Sequence, residues 1–281
     1  MKITIEHFPM RLRFGEEKAL KMIKDAGFDG VDYSFNELGN GQAIDLSDHE
    51  NNAKKVKALL DDLGLSCSQA HAPFRLPYDT KFDMSDVHFA DTVRSFEFAS
   101  VIGAKDVVVH CIPMPDNTDF YGYNYDFYKS LEPYAKDCGV NIAVENLVNS
   151  IFWRPKTLSH FIRMLDSPVF CACVDMGHAM LMGLPPEDFV AGMDKGVMKC
   201  IHVQDTDGKV DRHWIPYQGV HNWDNVMKAL AEYGYEGNLD MEIIHAYDAL
   251  PDELMLPALE YTAKVGRYLA DKFESYKKEI G

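Results

Sequence analysis

The chain has 281 residues, 47% of them apolar, and a formal net charge of -16. Barrels of the α/β type often reach this length as one domain, and the apolar fraction is enough for a sizeable core. The acidic balance argues against nucleic acid or anionic lipid as a partner, and no run approaches the ~18 apolar residues of a membrane span.

In chain order, short apolar runs of strand type fall at 2–6, 29–34, 66–71, 106–110, 140–145, 169–175, 199–204 and 238–244. Amphipathic segments of helix type lie near 15–27, 47–64, 84–103, 121–138, 155–166, 185–194, 221–234 and 255–276. In the second of these, Val56, Leu59, Leu60 and Leu63 share one helical face; Val93, Phe96 and Val101 are read the same way in the third. Gly27 and Gly64 stand where a helix should end before a strand. Eight strand-plus-helix units predict a (β/α)8 TIM barrel forming a single domain over 1–281. A doubly wound sheet would normally carry a Gly-rich phosphate loop after its first strand. Here that stretch reads Phe8-Pro9-Met10-Arg11-Leu12-Arg13.

The N-terminal residues Met-Lys-Ile-Thr-Ile-Glu-His show no signal-peptide apolar region. The six cysteines, Cys67, Cys111, Cys138, Cys171, Cys173 and Cys200, lie mostly in apolar strand-like runs without a CxxC pair. Buried structural thiols in a cytoplasmic protein are the expectation.

Most of the strand-like runs end in an ionisable residue. Examples are Ser-Gln-Ala-His71, Val-Val-Val-His110, Ile-Ala-Val-Glu145, Ala-Cys-Val-Asp175, Cys-Ile-His202 and Leu-Asp-Met-Glu242. A parallel barrel places its chemistry at the C-terminal ends of its strands, so these side chains should converge. Glu145, Asp175, His202 and Glu242 would end strands five to eight. Three carboxylates and one imidazole suit one divalent cation, Mn²⁺, Mg²⁺ or Co²⁺, and tolerate Zn²⁺. Two facing glutamates, Glu145 and Glu242, also suit proton transfer at a carbon beside a carbonyl, with a cation stabilising the enediolate oxygens.

Further candidates surround this set. His178 follows Asp175 by three residues, with Gly177 between them for a sharp turn. Asp211 and His213 alternate around Arg212, and in extended chain both would point the same way. They are read as additional metal ligands or substrate anchors, as are His71 and His110. Arg212 and Lys209 are candidates to pair with an anionic group. Glu6, His7 and His245 are read as pocket-lining or structural. Aromatic rings at strand ends and loops, Phe8, Phe14, Phe74, Tyr78, Trp153, Trp214 and Tyr217, could stack on a sugar, with Phe8, Trp214 and Tyr217 the leading pocket aromatics. The tyrosines 121, 123, 125 and 128 mark either a lid or the start of a helix. No GxSxG, P-loop or HExxH motif occurs.

The motifs Val-Glu145-Asn, Val-Asp175-Met-Gly-His178, His202-Val-Gln-Asp, Asp211-Arg-His213 and Met-Glu242-Ile resemble the xylose isomerase-like TIM-barrel superfamily. The resemblance spans nearly the whole chain. That superfamily includes sugar-phosphate and keto-sugar isomerases and epimerases, inosose dehydratases, hydroxypyruvate isomerases and endonuclease IV. The resemblance implies one divalent cation on Glu145, Asp175, His202 and Glu242, the two glutamates as acid/base catalysts, His178 against substrate, and a homo-oligomer. Endonuclease IV has counterparts of all nine residues (His71, His110, Glu145, Asp175, His178, His202, Asp211, His213 and Glu242), which hold three zinc ions. The expected function is therefore a metal-dependent isomerase or epimerase acting on a small sugar. The alternatives are a trinuclear-zinc phosphodiesterase, a related dehydratase or lyase, and a non-catalytic sugar-binding barrel. The seventh loop often continues Pro-Gly-x-Gly, whereas here it reads Pro216-Tyr217-Gln218-Gly219, which would put bulk near the pocket.

Overall fold

Eight parallel strands carry the fold: β1 (Ile3–Glu6), β2 (Gly30–Ser34), β3 (Ser66–His71), β4 (Asp106–Val109), β5 (Asn141–Glu145), β6 (Phe170–Asp175), β7 (Met198–His202) and β8 (Leu239–Met241). The computed structural model describes every residue except 38–41, 44, 75–83, 86, 113–119 and 149. Each strand pairs with its neighbour in sequence, and β1 also pairs with β8. A parallel bridge from Val203 to Met241 joins β7 to β8 and closes the barrel. There the Val203 N–H donates to Asp240 O at 2.7 Å and the Glu242 N–H to Val203 O at 3.2 Å. Closure leaves no sheet edge to cover. A short antiparallel hairpin, Asn36–Glu37 with Gln42–Ala43, follows β2.

The strands are buried along almost their whole length, because helices cover the outside and side chains fill the inside. Helices α2 (Glu16–Ala26), α3 (His49–Leu63), α4 (Val87–Ile102), α5 (Phe120–Cys138), α6 (Pro155–Met164), α8 (Pro186–Gly192), α9 (Trp223–Tyr233) and α10 (Met255–Ile280) match the sequence expectation within a few residues. The tyrosine-rich stretch is the first part of α5, and Tyr128 donates its hydroxyl to Val109 O at 2.9 Å. Gly27 and Gly64 cap α2 and α3 with positive φ, 99° and 62°, where glycine is the least strained residue. No helix among the described residues is long and apolar enough to cross a membrane.

Three local expectations are corrected. Val101 is 40% exposed while Phe96, Ala99 and Ile102 are buried. Its spacing of five from Phe96 carries it off the buried face, where three or four would have kept it there. Two helices absent from the sequence reading, α1 (Phe8–Phe14) and α7 (Met176–Leu181), sit directly after β1 and β6. Both stand where the alternation of strand and helix assigns only a connecting loop, and both help to form the mouth of the barrel.

Candidate metal centre and active site

The strand ends converge as the alternation requires. Asp175 and His202 are register partners on β6 and β7, and Glu145 pairs with Cys173 one step back on β6. His202 Nδ1 lies 3.4 Å from Glu145 Oε1, 3.4 Å from Glu242 Oε2 and 3.9 Å from Asp175 Oδ2. Two further groups flank this centre. On one side His110 Nε2 stands 2.9 Å from Glu145 Oε2 and 3.0 Å from His71 Nε2. On the other, His178 Nε2 and His213 Nε2 each stand 3.1 Å from Asp211 Oδ2. His178 Nδ1 also reaches Glu145 Oε1 at 3.1 Å, and His213 Nδ1 reaches Glu242 Oε2 at 3.3 Å. All nine predicted ligand-type residues thus form one continuous cluster.

Several of its atoms are buried and close to an oppositely charged neighbour without making a well-aligned hydrogen bond: Glu145 Oε2, His178 Nδ1, both His202 ring nitrogens and Glu242 Oε2. Buried polar atoms without a well-aligned hydrogen bond are costly, and donors of this kind aimed at a common centre fit a cation. Among the described residues, four triads have ligand atoms within 4.8 Å of one another: His71/His110/Glu145, Glu145/Asp175/His178, Asp175/His202/Glu242 and His178/Asp211/His213.

The electrostatics divide the two glutamates. Burial alone would raise Glu145, but the imidazoles of His110, His178 and His202 hold it well below the usual carboxylate range. Burial raises Glu242 to about 8, with Asp175 and Glu145 adding to the rise against the pull of His202 and His213. Burial opposes charge on His202, yet Glu242, Asp32 and Glu145 lift it well above the ordinary imidazole value. Burial takes His110 down to about 4, while Glu145 overcomes burial and takes His71 up to about 9.

Local structure explains how each group is held. Asp175 caps α7, accepting the His178 N–H at 2.6 Å, which ties the two residues together. Asn146 clamps the Asp175 backbone from both sides, at 2.6 and 2.9 Å. Gly177 serves close packing and not the sharp turn expected of it. It lies within a helix, and a Cβ there would come 2.3 Å from the Gln204 amide carbon. Gln204 is a residue that sequence reasoning missed. Its Nε2 donates to Asp211 Oδ1 at 2.8 Å, and its Oε1 accepts the His213 N–H at 3.2 Å. His213 has φ 46°, so Asp211 and His213 converge through a left-handed kink and not through the extended chain expected.

Seven of the nine cluster residues, all but the fully buried Asp175 and His202, floor a cavity of about 1010 Å³ at the C-terminal end of the barrel. Glu6, Phe8, Phe74, Lys209 and His245 also line it. Arg212, Trp214 and Tyr217 do not. The Arg212 guanidinium pairs with Asp207 at 3.0 Å and lies over the Trp214 ring. Tyr217 is 48% exposed and packs against Tyr268. The loop turns outward here because the Asp205 carboxylate accepts the Tyr217 N–H and the Trp223 indole N–H, both at 2.9 Å. His7 is buried against the Tyr33 ring, and Phe14 and Trp153 pack beneath lysine and arginine side chains. Tyr78 lies outside the described residues.

A second polar layer lies beneath the cluster. Asp32 Oδ2 faces His202 Nε2 at 3.5 Å and accepts the Gln69 amide at 2.8 Å. Asp240 is buried beside it with neither carboxylate oxygen hydrogen-bonded. Burial, reinforced by Asp32, pushes the Asp240 carboxyl well above the usual range.

Residues 20–265 match the xylose isomerase-like TIM barrel family, and the chain belongs to it. An uncharacterised protein of Methanocaldococcus jannaschii is 27% identical over 221 residues, 72% of each chain. Fructoselysine 3-epimerase of Escherichia coli O157:H7 is 25% identical over 131 residues, 45% of this chain and 47% of that one. The crystal structure of a D-tagatose 3-epimerase-like protein aligns over 100% of both chains with a TM-score of 0.75 and 22% identity. At that identity the likeness speaks to the fold.

Proposed function

We propose that this protein is a divalent-metal-dependent isomerase or epimerase of a ketose or keto-sugar. One observation carries the reading: the Glu145 and Glu242 carboxylates each approach the same His202 nitrogen at 3.4 Å, at the floor of an open cavity. Glu145, Asp175, His202 and Glu242 would hold the cation. When bound, it supplies positive charge to stabilise the oxygens of an enediolate. Glu145 and Glu242 take and return the proton at the carbon beside the carbonyl. His71, His110 and His178 orient substrate hydroxyls. Activity of this kind in the fructoselysine 3-epimerase supports the assignment.

The flanking triads favour one second reading, a three-zinc phosphodiesterase, because they offer two more metal positions beside the first. The acidic balance of the chain weighs against a nucleic-acid substrate.

The test is hydrogen exchange in D₂O with a panel of ketoses. Deuterium should enter at the carbon beside the carbonyl, and Glu145→Gln and Glu242→Gln should each slow entry by roughly 10²–10⁴-fold. Absence of exchange with every ketose would overturn the proposal. Metal content separates the two readings: about one ion per chain supports the isomerase, and about three zincs support the phosphodiesterase.

A further inference from the structure

The cavity is larger and more divided than a free monosaccharide requires. Its volume of about 1010 Å³ lies at the top of the roughly 300–1,000 Å³ range of pockets that enclose drug-sized ligands. The floor is the polar cluster described above. The walls above it are different. Pro9 and Leu12 of α1, Leu147 and Val148 beyond β5, Leu181 at the end of α7 and Ile244 beyond β8 all line the cavity, and none is fully buried. Leu12 is 43% exposed. Four separate segments therefore bring partly exposed aliphatic side chains to one opening. Scattered apolar surface needs no explanation, but aliphatic side chains from four segments gathered around one polar floor are a ligand-binding arrangement.

Charge narrows the occupant further. Among the described residues, two side chains of fixed positive charge line the cavity, Arg13 and Lys209. The Arg13 guanidinium is committed to Asp252 and to the Leu250 carbonyl, at 2.6 Å each. That leaves Lys209 facing a lining that also carries Glu6, Asp211, Glu242 and Asp248. Away from the imidazoles of the floor, an anionic substituent such as phosphate would meet, among the described lining residues, Lys209 and the carboxylates of Glu6 and Asp248, a poor match.

We infer that the substrate is a sugar conjugate, a ketose or keto-sugar whose end remote from the carbonyl carries an uncharged apolar group, aryl or alkyl, seated on the aliphatic wall. This rests on the sugar reading above. The polar end sits on the cluster, and the apolar group fills the space that a free monosaccharide leaves to water. Burying that group is the source of the added affinity.

Calorimetric titration of the protein with saturating Mn²⁺, and in parallel Zn²⁺, tests this with matched sets: 2-ketohexoses, their 6-O-benzyl ethers and their 6-phosphates. For the hexose that binds, the benzyl ether should bind at least about tenfold more tightly than the parent. Leu12→Asn, a change at an exposed position, should shrink that ratio. The phosphate should bind no better than the parent. Equal or weaker binding of the benzyl ether overturns the inference and leaves the sugar reading standing. Tightest binding by the phosphate overturns it in favour of an anion held by Lys209. If no member of any set binds, the sugar reading itself falls.

Discussion

The barrel interior has two unlike halves. On β4–β7 the inward positions below the candidate metal centre hold Val108, Ala143, Cys171, Cys173 and Cys200, a small buried group of alkyl and thiol side chains. On β8 and β1–β3 the corresponding positions hold Asp240, Thr4, Asp32 and Gln69, all buried. Both halves fill space, but they do so at different cost. A buried thiol needs no partner, whereas a buried carboxylate does. The polar half therefore needs a compensating role, and its geometry supplies one: Asp32 lies beneath His202 Nε2 while Nδ1 faces the three acids above. Carboxylates behind ligating imidazoles fix their orientation and raise their basicity. The apolar half supports the ligands by volume alone.

The largest expected effect separates these halves directly. Asp32→Leu should weaken divalent-metal binding by roughly 10–100-fold, read by chelator competition. Circular dichroism should show a folded barrel, and Asp32→Asn should fall between the two, since it keeps a polar partner for Gln69. Cys173→Ala should leave metal affinity essentially unchanged and cost about 1 kcal/mol in denaturant unfolding. If the cysteine change weakens metal binding as much as the Asp32 change, the two halves do not differ in function.

The upper layer was legible in the sequence, and the lower one was not, for a definite reason. His110, Glu145, Asp175, His202 and Glu242 each end a largely apolar strand run, and His71 ends the run Ser-Gln-Ala, where an ionisable group stands out. Asp32 and Asp240 lie inside such runs and read as interruptions. A signal was nevertheless present. Side chains two apart on a strand share a face. Thr4 precedes Glu6 by two, Gln69 precedes His71 by two, and Asp240 precedes Glu242 by two. Applying the alternation backward from each strand end would have found those three. The loop after β7 resisted for another reason. Arg212 is expected to pair with an anionic group and Trp214 and Tyr217 to line the pocket, but the Asp205 carboxylate and the left-handed backbone of His213 set their directions. Neither is visible before the chain is folded. The eight strand-plus-helix units were readable because each is long and buried. Helices α7 and α1 start within two residues of a strand end, where the strand–helix alternation assigns only a connecting loop.

An intermediate effect belongs to Gln204, which bridges the upper layer to this loop. Gln204→Ala removes the acceptor of the buried His213 N–H and the donor to Asp211 Oδ1. Leaving a buried donor unpaired costs about 1–3 kcal/mol, so global stability in urea should fall within that range. The central Glu145/Asp175/His202/Glu242 group should still take up metal. If the phosphodiesterase reading were correct, the metal bound beside Asp211 and His213 would be the one lost, and the metal count would drop by about one.

The smallest effect is expected at Gly177, which tests whether the packing of Gln204 matters as well as its hydrogen bonds. A Cβ at this position would lie 2.3–2.4 Å from the Gln204 side-chain amide atoms. Those atoms are the far end of a flexible side chain, and alanine is favoured over glycine within a helix by roughly 1 kcal/mol. Gly177→Ala should therefore lower the unfolding midpoint by less than Gln204→Ala does, because the helical gain offsets part of the displacement. It should still loosen the Asp211–His213 pair by moving the amide that holds it. Slower substrate turnover with metal affinity retained is the expected pattern. Loss of stability as large as that of Gln204→Ala would mean that the amide cannot move aside, and that α7 and the seventh loop are locked together more rigidly than their contacts suggest.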